Sequence, residues 1–352
     1  MKDVIKPSVR ALRAYTLAPH RASIKLNQNE NPWDAPARIK EEVLRRFAAR
    51  NWSRYPDFIP ANLHERLAEF AGWKPDGVIA GNGSNELIQA VLMVTMGSGK
   101  RVLISEPTFM LYRQVATVLD GEVETVSLTP GLKYDNEALL NTIETRQPDV
   151  VIICSPNNPT GCVIDQNALR SILTASQGIV VIDEAYHEFA GQSVVPLLNE
   201  HDNLVVLRTF SKAMAYAALR VGYLLAPANL VREIGKAVLP YNLNVFSQIA
   251  AEVAMENYES ELRPLVKGIV AERDRLFEEL SRIDGLTPVP SEANFMLVKS
   301  ATDPTRIFAD LLQRDILIRD VSGYPMLREY FRFSVGTPEE NDYLLKSISA
   351  IL

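Results

Sequence analysis

A two-domain α/β fold, with a large and mostly parallel sheet covered by helices on both faces and a smaller α+β domain behind it, is predicted by three observations. The chain has 352 residues, more than one average domain and enough to bury a sizeable core. Its first two thirds repeat short Val- and Ile-rich runs without polar alternation, the pattern of strands buried on both faces. Beyond about position 240 the pattern changes to one long helical stretch followed by shorter alternating elements.

In chain order, the first forty residues carry Pro7, Pro19, Pro32 and Pro36 and read as an extended arm before the first large-domain helix. Buried strands are predicted at 101–106, 122–128, 149–155, 178–184, 203–209 and 221–226. Helical patterns at 84–96, 135–146 and 165–176 separate several of them. A helix over roughly 247–282 is expected to kink or break at Pro264. Strands at 295–299, 316–320 and 330–335, a helix near 304–314 and a final helix from Pro338 follow. The expected division is an arm with part of the small domain at 1–40, a large domain at 41–245, and an interdomain helix with the small C-terminal domain at 246–352.

Composition excludes several function classes. A formal net charge of −6 provides no general field for nucleic acid or an anionic membrane, so an anionic ligand needs a local cradle. No apolar run approaches membrane-spanning length, and the first residues lack the apolar centre of a signal peptide, so a soluble cytoplasmic protein is expected. Cys154 and Cys162 match neither a zinc nor a redox spacing, and the four histidines are scattered, so no metal site is expected. No repeat or low-complexity tract suggests a solenoid or an interaction tail.

Ligands of open α/β sheets sit beyond the carboxyl ends of the strands. There SPNNPTG (155–161), DEAY (183–186) and TFSK (209–212) bring Asn158, Asp183, Tyr186 and Lys212 to three successive strand ends. GNGSNE (81–86) is a tight turn running into a helix N-terminus, a setting that favours an anion. Taken singly each has a plain structural explanation: a turn, a helix cap, a surface charge, a capped helix.

Taken together, in this order, they resemble the fold type I pyridoxal-phosphate aminotransferases over essentially the whole chain. The resemblance rests on Asn158 in NPTG, Asp183 with Tyr186, Thr209 with Lys212, and Arg220 eight residues further on. It implies a seven-stranded, mostly parallel sheet and pyridoxal 5′-phosphate held by Lys212 as a Schiff base. By the same resemblance Asp183 faces the pyridine nitrogen, Asn158 and Tyr186 the ring oxygen, and Phe109 stacks on the ring. Ser84, Asn85, Thr209, Ser211 and Arg220 would hold the phosphate.

LNQNENPW (26–33), RYPD (54–57), the string from SKAMA to LRVGY, and FRFSVGT (331–337) are most similar to the histidinol-phosphate aminotransferase branch. That branch implies a homodimer in which Tyr55 reaches the cofactor phosphate of the other subunit. It also implies that Arg332 pairs with the substrate carboxylate, that Arg319 and Tyr15 contact the substrate phosphate, and that Asn29 lies near the substrate. The implied reaction passes an amino group between glutamate and imidazole-acetol phosphate, giving 2-oxoglutarate and L-histidinol phosphate, a step of histidine biosynthesis. Thr209 stands where serine is commoner, which keeps the hydroxyl. Phe109 lacks the phenolic oxygen of the tyrosine often found there. Two rivals share the fold and cofactor: a threonine-phosphate decarboxylase of cobalamin synthesis and a broad aromatic aminotransferase. A non-catalytic sensor on the same fold is the rival from another class, but such proteins carry a DNA-binding domain for which this chain has no room.

Overall fold

The computed structural model describes residues 4–14 and 19–352. Thirteen strands occur in it, here numbered in chain order: β1 (Ile24–Lys25), β2 (Val78–Asn82), β3 (Arg101–Glu106), β4 (Glu122–Ser127), β5 (Val150–Cys154), β6 (Ile179–Asp183), β7 (Leu204–Thr209), β8 (Val221–Leu225), β9 (Leu286–Pro288), β10 (Phe295–Ser300), β11 (Ile316–Leu317), β12 (Arg319–Asp320) and β13 (Tyr330–Ser334). The large sheet has seven strands in the order β2-β8-β7-β6-β5-β3-β4. All its pairings are parallel except those of β8, which runs antiparallel to both β2 and β7.

The central strands are apolar throughout because each residue enters a core on one face or the other. Val151, Ile153, Val180, Ile182 and Val206 pack with the helices Ala37–Ala48, Ala61–Ala71, Gln166–Ala175 and Val245–Glu256. Their neighbours Val150, Ile152, Val181, Val205 and Leu207 face the helices Ser84–Thr95 and Leu111–Val118. A third core, around Phe295, Phe331 and Phe333, fills the C-terminal part. Helix starts are marked by side-chain caps: Asp135 accepts from Ala138 N, Asp165 from Asn167 N and Ala168 N, and Thr337 forms a capping box with Glu340.

Several elements depart from the sequence expectation. β2 was not expected, because VIAGN is short and holds a glycine. The segment 316–320 is not one strand: β11 pairs in parallel with β1 of the N-terminal arm, whereas β12 pairs antiparallel with β13. Its two halves belong to different sheets, a distinction no local pattern carries. The long C-terminal helix breaks before Pro264, at a π-helical turn over Tyr258–Leu262. Pro264 falls in the first turn of the next helix, Arg263–Ser281, where its missing N–H leaves no bond unmade. Among the described residues no helix is long and apolar enough to cross a membrane.

Candidate active site

The carboxyl ends of β5, β6 and β7 lie side by side, and the N-terminal end of antiparallel β8 opens at the same edge. A cavity of about 260 Å³ sits there. All the residues singled out from sequence border it except two: Tyr55 lines a different surface depression, and Tyr15 lies outside the described residues.

Lys212 follows β7 and is half-buried, its Nζ donating to the carbonyl of Gln28 at 2.9 Å and lying 5.9 Å from the centre of the Tyr186 ring. Burial first, then repulsion from Arg332, brings its pKa down to about 7, with Arg220 adding to the fall and Glu30 opposing it. A substantial fraction of the amine is therefore neutral near pH 7, the state a nucleophilic or proton-abstracting lysine needs.

Asp183 ends β6 and is buried. Its Oδ2 accepts from the Tyr112 hydroxyl at 2.7 Å, and its Oδ1 accepts from the Ala185 N–H at 3.1 Å. Burial raises its pKa to about 6, while the Tyr112 and Ala185 bonds pull the other way. A cationic nitrogen placed against it would hold it ionised. Tyr112 sits one helical turn beyond Phe109, and the two rings meet edge to face at 5.6 Å. Sequence reasoning missed Tyr112, because an aromatic residue three positions along an amphipathic helix reads as core.

The rest of the wall is built from interlocked turns. Asn158 accepts from an Arg332 Nη, and Arg332 also donates to the Asn27 carbonyl at 3.0 Å. Tyr186 accepts from the Asn29 side chain at 3.0 Å, and burial holds its hydroxyl well above the usual tyrosine pKa. Asn157, fully buried, receives Thr108 Oγ1 at 2.7 Å and donates to the Pro107 carbonyl and to Thr160 Oγ1, both at 2.9 Å. It thereby ties the turn bearing Asn158 to the segment bearing Phe109. Behind Asp183, buried Glu184 accepts from Arg208 at 2.9 Å and from Val194 N at 2.6 Å. That ion pair holds the chain that carries Asp183 and Tyr186. Asn157, Glu184 and Arg208 were also missed from sequence, since their partners are remote in the chain.

At one end of the cavity the residues form an anion cradle. Ser84 and Asn85 open the helix Ser84–Thr95, whose first backbone N–H groups point along the axis towards the site. Thr209 Oγ1 and Ser211 Oγ lie 3.0 Å apart, and Arg220 Nη1 donates to Ser211 Oγ at 3.0 Å. Gly83, at φ 79°, is required here: a Cβ would meet Arg220 Nη2 at 2.5 Å. Arg220 itself sits at φ 54°, in the left-handed region that is uncommon for residues with side chains. A guanidinium, hydroxyls and a helix N-terminus converging beside an aromatic face, with a carboxylate and a low-pKa lysine further in, fit a flat heteroaromatic ring with a phosphate arm.

Residues 21–348 match the family model described as aminotransferase class I and II. The chain belongs to that family. Within it, a histidinol-phosphate aminotransferase of Carboxydothermus hydrogenoformans is 43% identical over 95% of each chain. Another, from Chlorobium luteolum, is 39% identical over 99% of this chain and 98% of its own. A histidinol-phosphate aminotransferase from Sinorhizobium meliloti, solved with pyridoxal 5′-phosphate, superposes with a TM-score of 0.88 over 100% of this chain and 98% of its own. At 22% identity that last likeness speaks for the fold.

Proposed function

We propose that the protein is a pyridoxal-phosphate-dependent histidinol-phosphate aminotransferase, a cytoplasmic enzyme of histidine biosynthesis that exchanges an amino group between glutamate and imidazole-acetol phosphate. The observation that carries the reading is the shared cavity in which Lys212, Asp183 and the anion cradle meet two arginines, Arg319 and Arg332. The full-length relatives support the choice of substrate.

When bound, pyridoxal 5′-phosphate supplies an aldehyde and an electron-withdrawing ring that make the substrate Cα–H bond acidic. The chain's own groups do the rest. Asp183 gives the ring nitrogen a counter-charge, and Asn158 with Tyr186 faces the ring oxygen. Phe109 covers one ring face, and Ser84, Asn85, Thr209, Ser211 and Arg220 take the phosphate. Lys212 would hold the cofactor covalently, and its freed Nζ would carry the proton between the substrate Cα and the cofactor C4′. Arg332 orients the glutamate carboxylate, Arg319 the phosphate of the other substrate, and Asn29 holds Tyr186 in place.

The proposed active unit is a homodimer. Trp52, Phe58, Ile59 and Leu239 form an apolar surface around Tyr55, which is 82% exposed in the single chain. Tyr55 would cross to the cofactor phosphate of the second subunit.

The test is a single turnover of the PLP-loaded protein with glutamate alone, followed by a substrate panel. One equivalent of 2-oxoglutarate per site, then kcat/KM for histidinol phosphate well above that for phenylalanine or tyrosine, is expected. No 2-oxoglutarate would sink the aminotransferase reading, and carbon dioxide release from phosphothreonine would replace it with the decarboxylase. Equal use of aromatic amino acids would leave a broad aromatic aminotransferase. Lys212→Ala is expected to abolish covalent cofactor capture and turnover together.

A further inference from the structure

Tyr241 lies outside the cavity, yet it combines an uncommon backbone conformation with a ring stacked on Tyr55. Its backbone sits at φ 57°, a conformation that is an outlier for a bulky side chain and persists only where the surroundings over-determine it. Its ring stacks on Tyr55 at 4.7 Å with an interplanar angle of 22°, and Phe58 closes the group edge to face at 5.4 Å. The segment carrying Tyr55 is irregular from Asn51 to Pro60 and has no helix or strand of its own to aim a side chain.

Tyr241, in contrast, is anchored by the three residues that follow it. The next residue, Asn242, donates to the Ala80 carbonyl at 3.1 Å and to Glu86 at 2.8 Å, tying the segment to the phosphate-facing turn of its own subunit. Leu243 is buried, and Asn244 caps the helix Val245–Glu256 by accepting from Ser247 N. An anchored residue thus packs against an irregular segment.

We infer that Tyr241 is a positioning residue: its ring is the seat that holds Tyr55 at the angle needed to reach the cofactor phosphate of the second subunit. The inference rests on the proposed phosphate role of Tyr55. It requires only the ring of Tyr241, because the contact is a stack of faces rather than a bond through the hydroxyl.

The experiment titrates the apoprotein dimer with pyridoxal 5′-phosphate, reading binding by absorbance and dimer content by sedimentation, for Tyr55→Phe, Tyr241→Phe, Tyr241→Asn and the double variant Tyr55→Phe/Tyr241→Asn. Asparagine tolerates the left-handed backbone, so Tyr241→Asn removes the ring without adding strain. Tyr241→Asn is expected to weaken cofactor binding by roughly three- to tenfold. Tyr241→Phe is expected to stay within about twofold of the parent, since an aromatic face is retained. The double variant is expected to bind no more weakly than Tyr55→Phe alone, because the seat acts only through Tyr55. Weaker binding by Tyr55→Phe beside unchanged binding by a dimeric Tyr241→Asn overturns the seat and leaves the role of Tyr55 standing. Unchanged binding by Tyr55→Phe removes the role of Tyr55 and the seat with it. Additive losses, or a Tyr241→Asn chain that sediments as a monomer, reassign Tyr241 to subunit contact and also overturn the inference.

Discussion

The Tyr112 hydroxyl donates to Asp183 Oδ2 at 2.7 Å, and both residues are sealed from solvent. The carboxylate loses hydration on burial and regains part of that loss from this one bond and the Ala185 N–H. Tyr112→Phe removes the donor while keeping the ring that packs on Phe109. The Asp183 pKa in the apoprotein is expected to rise above about 6. Carboxyl infrared absorbance followed against pH measures this directly. A hydrogen bond to a charged group contributes about 1.5–3 kcal/mol, so cofactor affinity should fall by tenfold or more. An unmoved titration with undiminished affinity would make Tyr112 a packing residue only.

The same burial makes Asp183 costly when no cation faces it. Its folded pKa, about 6, lies above the ordinary 3.8, so the contribution of this group to stability is fully present below pH 3.8 and is lost as pH rises through 6. The loss amounts to roughly 3 kcal/mol at neutral pH. Asp183→Asn apoprotein should therefore unfold at higher denaturant than the parent at pH 7.5, with the gain vanishing near pH 4, while cofactor affinity collapses. Equal stability of the two apoproteins at both pH values would contradict the assigned cost.

How far these relationships were legible beforehand follows from their range in the chain. Asn158, Asp183, Tyr186 and Lys212 could be placed because each follows directly on an uninterrupted apolar strand, and strand ends are where a parallel sheet exposes polar groups. Arg220 could be named only through the family resemblance, since an arginine eight residues beyond a lysine carries no signal of its own. Tyr112 could not be placed, because on its own helix it is indistinguishable from a core aromatic, and only the tertiary fold brings Asp183 to its hydroxyl. The Glu184–Arg208 pair joins neighbouring strands and leaves no local trace. The split of 316–320 between two sheets is likewise tertiary, since β1 from the N-terminal arm competes for the first half.

Lys212 carries a pH signature. With a pKa of about 7, its amine is neutral above and cationic below that value. The rate at which apoprotein captures pyridoxal 5′-phosphate in a borohydride-reducible form should rise as pH increases through about 7 and level off beyond it. Arg332→Met removes the nearby cation that repels the ammonium, so the midpoint should move to higher pH. A midpoint near the ordinary lysine value in the parent protein would show that burial does not depress this group.

Arg319 and Arg332 are direct partners across the β12–β13 ladder, so their side chains leave the same face of the small sheet towards the cavity. Like charges directly opposite are unfavourable, and such a pair persists where anions are to be bound. Arg332 is committed to Asn158 and the Asn27 carbonyl, which places it deeper, beside the reacting centre. Arg319 stands one strand outward, at the edge of the small sheet, and also borders the cavity. Arg319→Ala should lower kcat/KM for histidinol phosphate by about 10- to 100-fold, the loss of a charge-assisted contact, while lowering it far less for glutamate. Arg332→Ala should show the reverse preference. Arg319→Ala apoprotein should be no less stable than the parent, since the substitution relieves repulsion. Equal losses for both substrates in Arg319→Ala would show that the two arginines act on one anion rather than two.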